Sequence, residues 1–398
     1  MAIDANRLRA DFPALQSSNA IYFDSACTAL KPQAVIGAEM SYYTELSACA
    51  GRSHHTLAKR TEEAFEASRE RIAKFVGAKP EQLAFTKNTT EALNLVVRSL
   101  DYSARRKVVT TPLEHHSLLL PIMEQQRRGV VKAEYMQVGT SGEIDESSLS
   151  LIGPSTALVA IHHTTNTTGM RAPLEKIVKA AHDAGALVLI DGAQGVPHSR
   201  VDFSRLGADF LAFSGHKMCG PTGIGCLVGK KEAFEKLDTF IVGGETVETV
   251  SLGSVRWKSA PKRFEGGIQN YAGAIGLAAA CGYLSKIGMQ NIEEHERRMA
   301  RALLDAINSI PGSTVYGSKT APRCALASFN LAGVSAHQAA LMADSLSKIA
   351  LRSGVFCAEP GAAALGFPKG AVRASLYLYN TEDEVRTFAE TMGKIAKL

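Results

Sequence analysis

Two apolar runs, each ending in a chemically capable group, constrain this chain more than any other feature. Residues 188–194 read VLIDGAQ, a β-rich run closing on a carboxylate. Residues 209–225 read DFLAFSGHKMCGPTGIG, a second run closing on Ser-Gly-His-Lys and a turn rich in Gly and Pro. In an open α/β sheet, ligands bind beyond the carboxyl ends of the strands. Asp191 and Lys217 are therefore expected at one edge of such a sheet, on neighbouring strand ends.

A lysine so placed is costly to bury unless it loses its charge, and forming an imine with a carbonyl cofactor removes it. Pyridoxal phosphate (PLP) is such a cofactor, and it needs an acid beside its ring nitrogen. Asp191 suits that task. The phosphate needs a third site. Residues 85–97, FTKNTTEALNLVV, read as a strand, a turn with Thr89 and Thr90, and a helix. Backbone N–H groups and hydroxyls at a helix N-terminus hold anions. Ser214 and His216, flanking Lys217, add donors. Singly, these features have ordinary explanations: a turn aspartate, a helix cap, a solvated lysine. Their occurrence together, in this order and at corresponding strand ends, favours the cofactor.

The remaining pattern agrees with an α/β chain. Apolar runs at 107–111, 158–162, 186–190, 209–214 and 225–228 read as strands, and 61–76 and 173–184 as amphipathic helices. Such alternation implies βαβ units and a mostly parallel sheet. Residues 257–270 read as a loop, and 271–310 as a long helical stretch broken near Gly288. Beyond Thr314, short strands at 325–331 and 371–378 surround a helix at 336–348, which predicts a second, smaller α/β domain. The expected boundary lies near residue 285.

Composition narrows the function by exclusion. With 398 residues, 45% of them hydrophobic, the chain can bury the cores of two or three domains. The net charge of +5 is scattered, without a basic block, so nucleic acid is not an expected partner. No run approaches the roughly 18 apolar residues of a membrane span. The N-terminus carries early acids and no apolar signal core, so a cytoplasmic location is expected. Seven cysteines, an odd number without a CxxC pair, suggest free thiols in a reducing compartment. The doublets His54–His55 and His162–His163 lack metal-site spacing, so no metal is expected. The glycines of GPTGIG lead to a strand rather than a helix, against a dinucleotide fingerprint.

At this point the chain resembles a known family, the class V group of fold type I aminotransferase-like PLP enzymes, and most closely the short-loop cysteine desulfurases. The resemblance is carried by YFDSACTALKP (22–32), RSHHTL (52–57), FTKNTTEALNLV (85–96), EHHSLLLP (114–121) and NTTG (166–169). It continues through DGAQGVPH (191–198), SGHKMCGPTGIG (214–225), PKRFEGG (261–267), RSGVFCAEP (352–360) and VRASLYLYNT (372–381). It implies a large domain over 20–285 with a mainly parallel mixed sheet, and a small α/β domain from 286–398 joined by 1–19. Lys217 would hold PLP covalently, Asp191 would pair with its ring nitrogen, and Gln194 would donate to its ring hydroxyl. His115 would lie on the ring face and shuttle protons. Asn166 would contact the ring and the substrate, and Thr89, Thr90, Ser214 and His216 would hold the phosphate. Arg373 would clamp the substrate carboxylate, with Arg352 and His55 also facing substrate. Cys357 would attack the sulfur of L-cysteine as a thiolate, keep it as a persulfide, and release alanine. A homodimer and a sulfur-acceptor protein serving iron–sulfur clusters or other thiolations are further implications.

The chain departs from the family pattern in three places. Val355 and Phe356 stand where two histidines usually precede the cysteine. Ile268 replaces a threonine that reaches the partner's phosphate. GGETVET (243–249) lacks the usual third glycine and hydrophobic pair. Selenocysteine lyase chemistry, or an epimerase or aminotransferase in which Cys357 is incidental, are the alternatives on the same scaffold. A nicotinamide oxidoreductase and a non-enzymatic scaffold protein are the alternatives outside it.

Overall fold

A computed structural model describes residues 3–51 and 53–398; Arg52, the first residue of RSHHTL, lies outside the described residues. Seven strands form the larger sheet: β1 (Leu83–Thr86), β2 (Lys107–Thr110), β3 (Lys132–Tyr135), β4 (Thr156–His162), β5 (Leu187–Asp191), β6 (Phe210–Ser214) and β7 (Gly225–Gly229). Their order is β1-β7-β6-β5-β4-β2-β3. Strand β7 runs antiparallel to both its neighbours, and the other pairings are parallel.

Side chains alternate along a strand, so a sheet buried on both faces needs apolar residues at nearly every position. Val159, Ile161, Val188, Ile190, Leu211 and Phe213 enter one core, and Leu158, Ala160, Leu189, Phe210 and Ala212 the other. By the same alternation His162, Asp191 and Ser214 belong to the second face. The register sets His162 opposite Asp191, and Asp191 opposite Ala212. That face is covered by the helices Thr89–Ser99 and His116–Arg127, through Leu93, Val96, Leu118 and Ile122.

The helical stretch expected over 271–310 is two helices, Tyr271–Ile287 and Met289–Asn308, bent by 75°. The break is Gly288, whose φ of 92° suits glycine. Among the described residues no single helix is long and apolar enough to cross a membrane. Beyond the bend lies a four-stranded antiparallel sheet: β8 (Ser313–Tyr316), β9 (Leu326–Leu331), β10 (Arg352–Gly354) and β11 (Ala371–Ser375), in the order β8-β9-β11-β10. Leu303, Phe329, Val372 and Phe388 share its core. The strand expected to reach 378 ends at Ser375, because Tyr377 to Tyr379 turn into the larger core.

The leading segment is two short helices, Ala5–Arg9 and Pro13–Ser18, the second begun by proline at its first position. Phe12 and Leu15 enter the core over the larger sheet. Ile21–Tyr22 then pairs in parallel with Ile349–Ala350. The GGETVET region (243–249) leads into an exposed hairpin of Val247–Ser251 and Ser254–Trp257.

Candidate active site

The parallel strands deliver their following residues to one edge of the larger sheet. After β1 come Thr89 and Thr90; after β2, His115; after β4, Asn166; after β5, Gln194; after β6, His216 and Lys217. All of these line one cavity of about 230 Å³, together with Asp191 and Ser214 at their strand ends. Arg352 and Arg373 reach it from the smaller sheet, where β10 and β11 set them opposite each other. Phe356 and Cys357 complete the wall.

One end of the cavity is built for an anion. Asn88 caps the helix Thr89–Ser99 by accepting the N–H of Glu91, which fixes the first turn. The Thr89 hydroxyl lies 2.6 Å from that of Ser214, and the Thr89 N–H donates to the same Ser214 oxygen at 2.7 Å. Thr90 bonds Ser117 through their hydroxyls at 2.7 Å. Gly225 makes this approach possible. A Cβ there would stand 2.7 Å from the Cα of Asn88 and 2.8 Å from the carbonyl of Phe213.

The other groups carry opposed electrostatics. Burial pushes the Asp191 carboxyl upward, opposed by the Ala193 N–H that it accepts at 2.9 Å and by Lys217. Burial pushes Lys217 downward, with Asp191 the leading opposing charge. Gln194 donates Nε2 to the carbonyl of Ala26 at 2.8 Å and leaves a buried Oε1 with no partner. Its second Nε2–H and the Oε1 are both left for a ligand.

His115 caps the helix His116–Arg127, and its Nδ1 accepts the Ser117 N–H at 3.1 Å. The neutral ring therefore carries its proton on Nε2. Burial, then Lys217, His116 and Arg373, push its pKa down to about 3. His216 is lowered to about 4, by burial first and then by Lys217 and Lys31.

The thiol sits on a strained turn. Phe356 and Cys357 have φ of 59° and 57°, the left-handed region that bulky residues avoid. Two bonds hold the turn: Asn166 Nδ2 donates to the Phe356 carbonyl at 2.7 Å, and the His116 N–H to the Cys357 carbonyl at 2.8 Å. Cys357 is exposed, whereas Cys219, Cys226, Cys281 and Cys324 are buried and pushed upward in pKa by that burial. Arg373 is buried. It donates Nη1 to the Asn166 carbonyl at 3.0 Å and Nη2 to Asp24 at 3.2 Å, and its Nε is unpartnered. Of the five N–H bonds of a guanidinium, these use two, leaving an edge for a carboxylate.

His55 does not line this cavity; its ring caps the helix Thr56–Phe75 by accepting the Ala58 N–H at 3.2 Å. The histidine doublets divide their work: His162 bonds Glu114 at 2.8 Å, and His163 bonds Thr164 at 2.9 Å. Sequence reasoning missed Ser117, Cys27, Asp24 and His162. The signal for Cys27 and Asp24 was the segment at 22–32, quoted for its resemblance but given no roles.

A lysine whose pKa burial lowers, a buried acid, an unpartnered amide oxygen and a hydroxyl-rich helix N-terminus fit PLP residue by residue. The Aminotransferase class-V family model matches residues 21–388. The chain is 39% identical to a probable cysteine desulfurase of Halalkalibacterium halodurans, over 98% of each chain. Its fold is similar to the cysteine desulfurase from Thermococcus onnurineus NA1, with a TM-score of 0.95, 38% identity, and coverage of 100% of this chain and 99% of that one. It is likewise similar to the cysteine desulfurase CsdA from Escherichia coli, with a TM-score of 0.91, 33% identity, and coverage of 100% and 99%. The chain belongs to the class V aminotransferase family of PLP-dependent enzymes, among its cysteine desulfurases.

Proposed function

We propose that this enzyme converts L-cysteine to L-alanine and holds the released sulfur as a persulfide on Cys357. The observation that carries the reading is an exposed thiol, on a strained turn, in the same cavity as Lys217 and the half-used guanidinium of Arg373.

Lys217 would hold PLP, Asp191 would face its ring nitrogen, and Thr89, Thr90, Ser214 and His216 its phosphate. When bound, PLP supplies a conjugated ring that takes up the electron pair released at the substrate Cα. Arg373 binds the substrate carboxylate through its free edge, as a planar fork does well. Burial lowers the pKa of Lys217, which favours the proton-accepting form that a base at the substrate Cα needs. His115, neutral and protonated on Nε2, can donate at that atom. Cys357 Sγ attacks the substrate sulfur as a thiolate. The C–S bond breaks, an S–S bond forms, and the substrate β-carbon gains a proton. Cysteine plus thiol thus becomes alanine plus persulfide with no external oxidant.

The same reading extends to what surrounds the enzyme. A cytoplasmic acceptor protein takes the sulfur for iron–sulfur clusters or other thiolation. A homodimer forms through a surface that includes Ile268, 68% exposed in the single chain. The chain divides into a large domain over 20–285 and a small one of 1–19 and 286–398, with the Gly288 bend near the seam and with Phe12 and Leu15 reaching across into the larger core.

The PLP-loaded enzyme given L-cysteine and a thiol reductant should release alanine and sulfide in equal amounts. A protein that binds amino acids but releases no alanine points instead to an epimerase or aminotransferase.

A further inference from the structure

We propose that Phe356 is a positioning residue that ties the carboxylate clamp, Arg373, to the turn carrying the nucleophile, Cys357. The inference rests on the desulfurase reading of those two residues and adds a role for their neighbour.

Three contacts close a ring. The Arg373 guanidinium lies 4.9 Å from the centroid of the Phe356 ring. Its Nη1 donates to the main-chain carbonyl of Asn166, and the Asn166 side chain donates to the main-chain carbonyl of Phe356. One residue therefore offers its ring to the clamp and its carbonyl to the segment that the clamp also grips. The next residue is Cys357, so the position of Sγ depends on the torsions that these contacts hold.

The alternative is that Phe356 merely fills space, since it packs in a cluster with Leu113, Ala362 and Phe367. Packing requires an apolar side chain of similar size. Coupling requires a π face toward a cation, which an aliphatic side chain lacks. A histidine, which the family pattern suggests here, would offer a titratable ring next to the guanidinium. Phenylalanine keeps the contact independent of pH. A carboxylate arriving at Arg373 pulls on the guanidinium, and the pull reaches the turn through the ring and through Asn166.

The test compares holoenzymes of the wild type, Phe356→Leu and Phe356→Tyr. Leucine keeps the packing and removes the π face, whereas tyrosine keeps both. Two readouts are taken: the Kd for L-alanine, from the cofactor's absorbance, and the rate at which iodoacetamide alkylates Cys357, located by peptide mass spectrometry. In Phe356→Leu, affinity for L-alanine should fall roughly three- to thirty-fold, the span of a buried cation–π contact. The alkylation rate should change in the same variant, and Phe356→Tyr should restore both. If Phe356→Leu changes only one readout, or neither, the coupling is overturned. A wild type that releases no alanine from L-cysteine overturns the desulfurase reading separately, since binding and alkylation are measured without turnover.

Discussion

The hydroxyl oxygens of Thr89 and Ser214 stand 2.6 Å apart, one at the start of a helix and the other at the end of β6. Neither strand nor helix alone makes an anion site there. The helix brings N–H groups with a favourable dipole, and the strand end brings a hydroxyl that accepts the first of them. Ser214→Ala removes that hydroxyl and leaves the Thr89 N–H without its partner. A hydrogen bond to a charged group is worth about 1.5–3 kcal/mol, so the Kd for PLP should rise by roughly ten- to a hundred-fold. Fluorescence titration of the stripped protein with PLP measures it.

Gly225 sets the distance between those two elements. Its absent Cβ leaves room for the backbone of Asn88 and for the Phe213 carbonyl, neither of which can swing aside as a flexible side chain would. Gly225→Ala should destabilise the fold by about 1–3 kcal/mol, the usual cost of overpacking a tight site. Urea denaturation of the two proteins measures the loss. PLP affinity should fall too, because the clash displaces the residue that caps the phosphate-binding turn.

Three partly buried histidines shape the acid limb of stability. Burial pushes His115 and His163 down to about 3 and His216 to about 4, so the folded chain keeps all three neutral. Below the ordinary histidine value near 6.5, the unfolded chain takes up protons that the folded chain refuses. Their contribution is therefore fully present above about pH 6.5 and is lost as pH falls toward 4. Asp191 and Asp24 work the other way, because burial raises their carboxyls. His163→Gln isolates one term. Urea midpoints between pH 7.5 and 4.5 should fall less steeply in that variant than in the wild type.

How far the sequence alone reached follows from where each signal lives. Lys217 and Asp191 were legible because each ends an apolar run, and buried parallel strands have to be apolar on both faces. Strand β3 was not legible: Lys132–Tyr135 is an edge strand, partly exposed and polar. The halves of the helical stretch were legible from Gly288, but the direction of the bend was not. The ring of Arg373, Asn166 and Phe356 joins three separate segments, so no local pattern announces it. The same holds for His162, whose place beside Asp191 comes from strand register rather than from its doublet. His55, inside a family-like motif, caps the helix Thr56–Phe75 and does not line the cavity of its own chain.

The central claim is that sulfur leaves L-cysteine onto Cys357. The direct measurement is a single-turnover experiment without reductant, on the PLP-loaded wild type and Cys357→Ala, with alanine quantified and the protein analysed by mass spectrometry. The wild type should form one alanine per site and then stop, with the mass of one extra sulfur on the peptide that contains Cys357. Cys357→Ala should form almost no alanine. Alanine release from Cys357→Ala at the wild-type rate, or added sulfur on a different cysteine, would contradict the account.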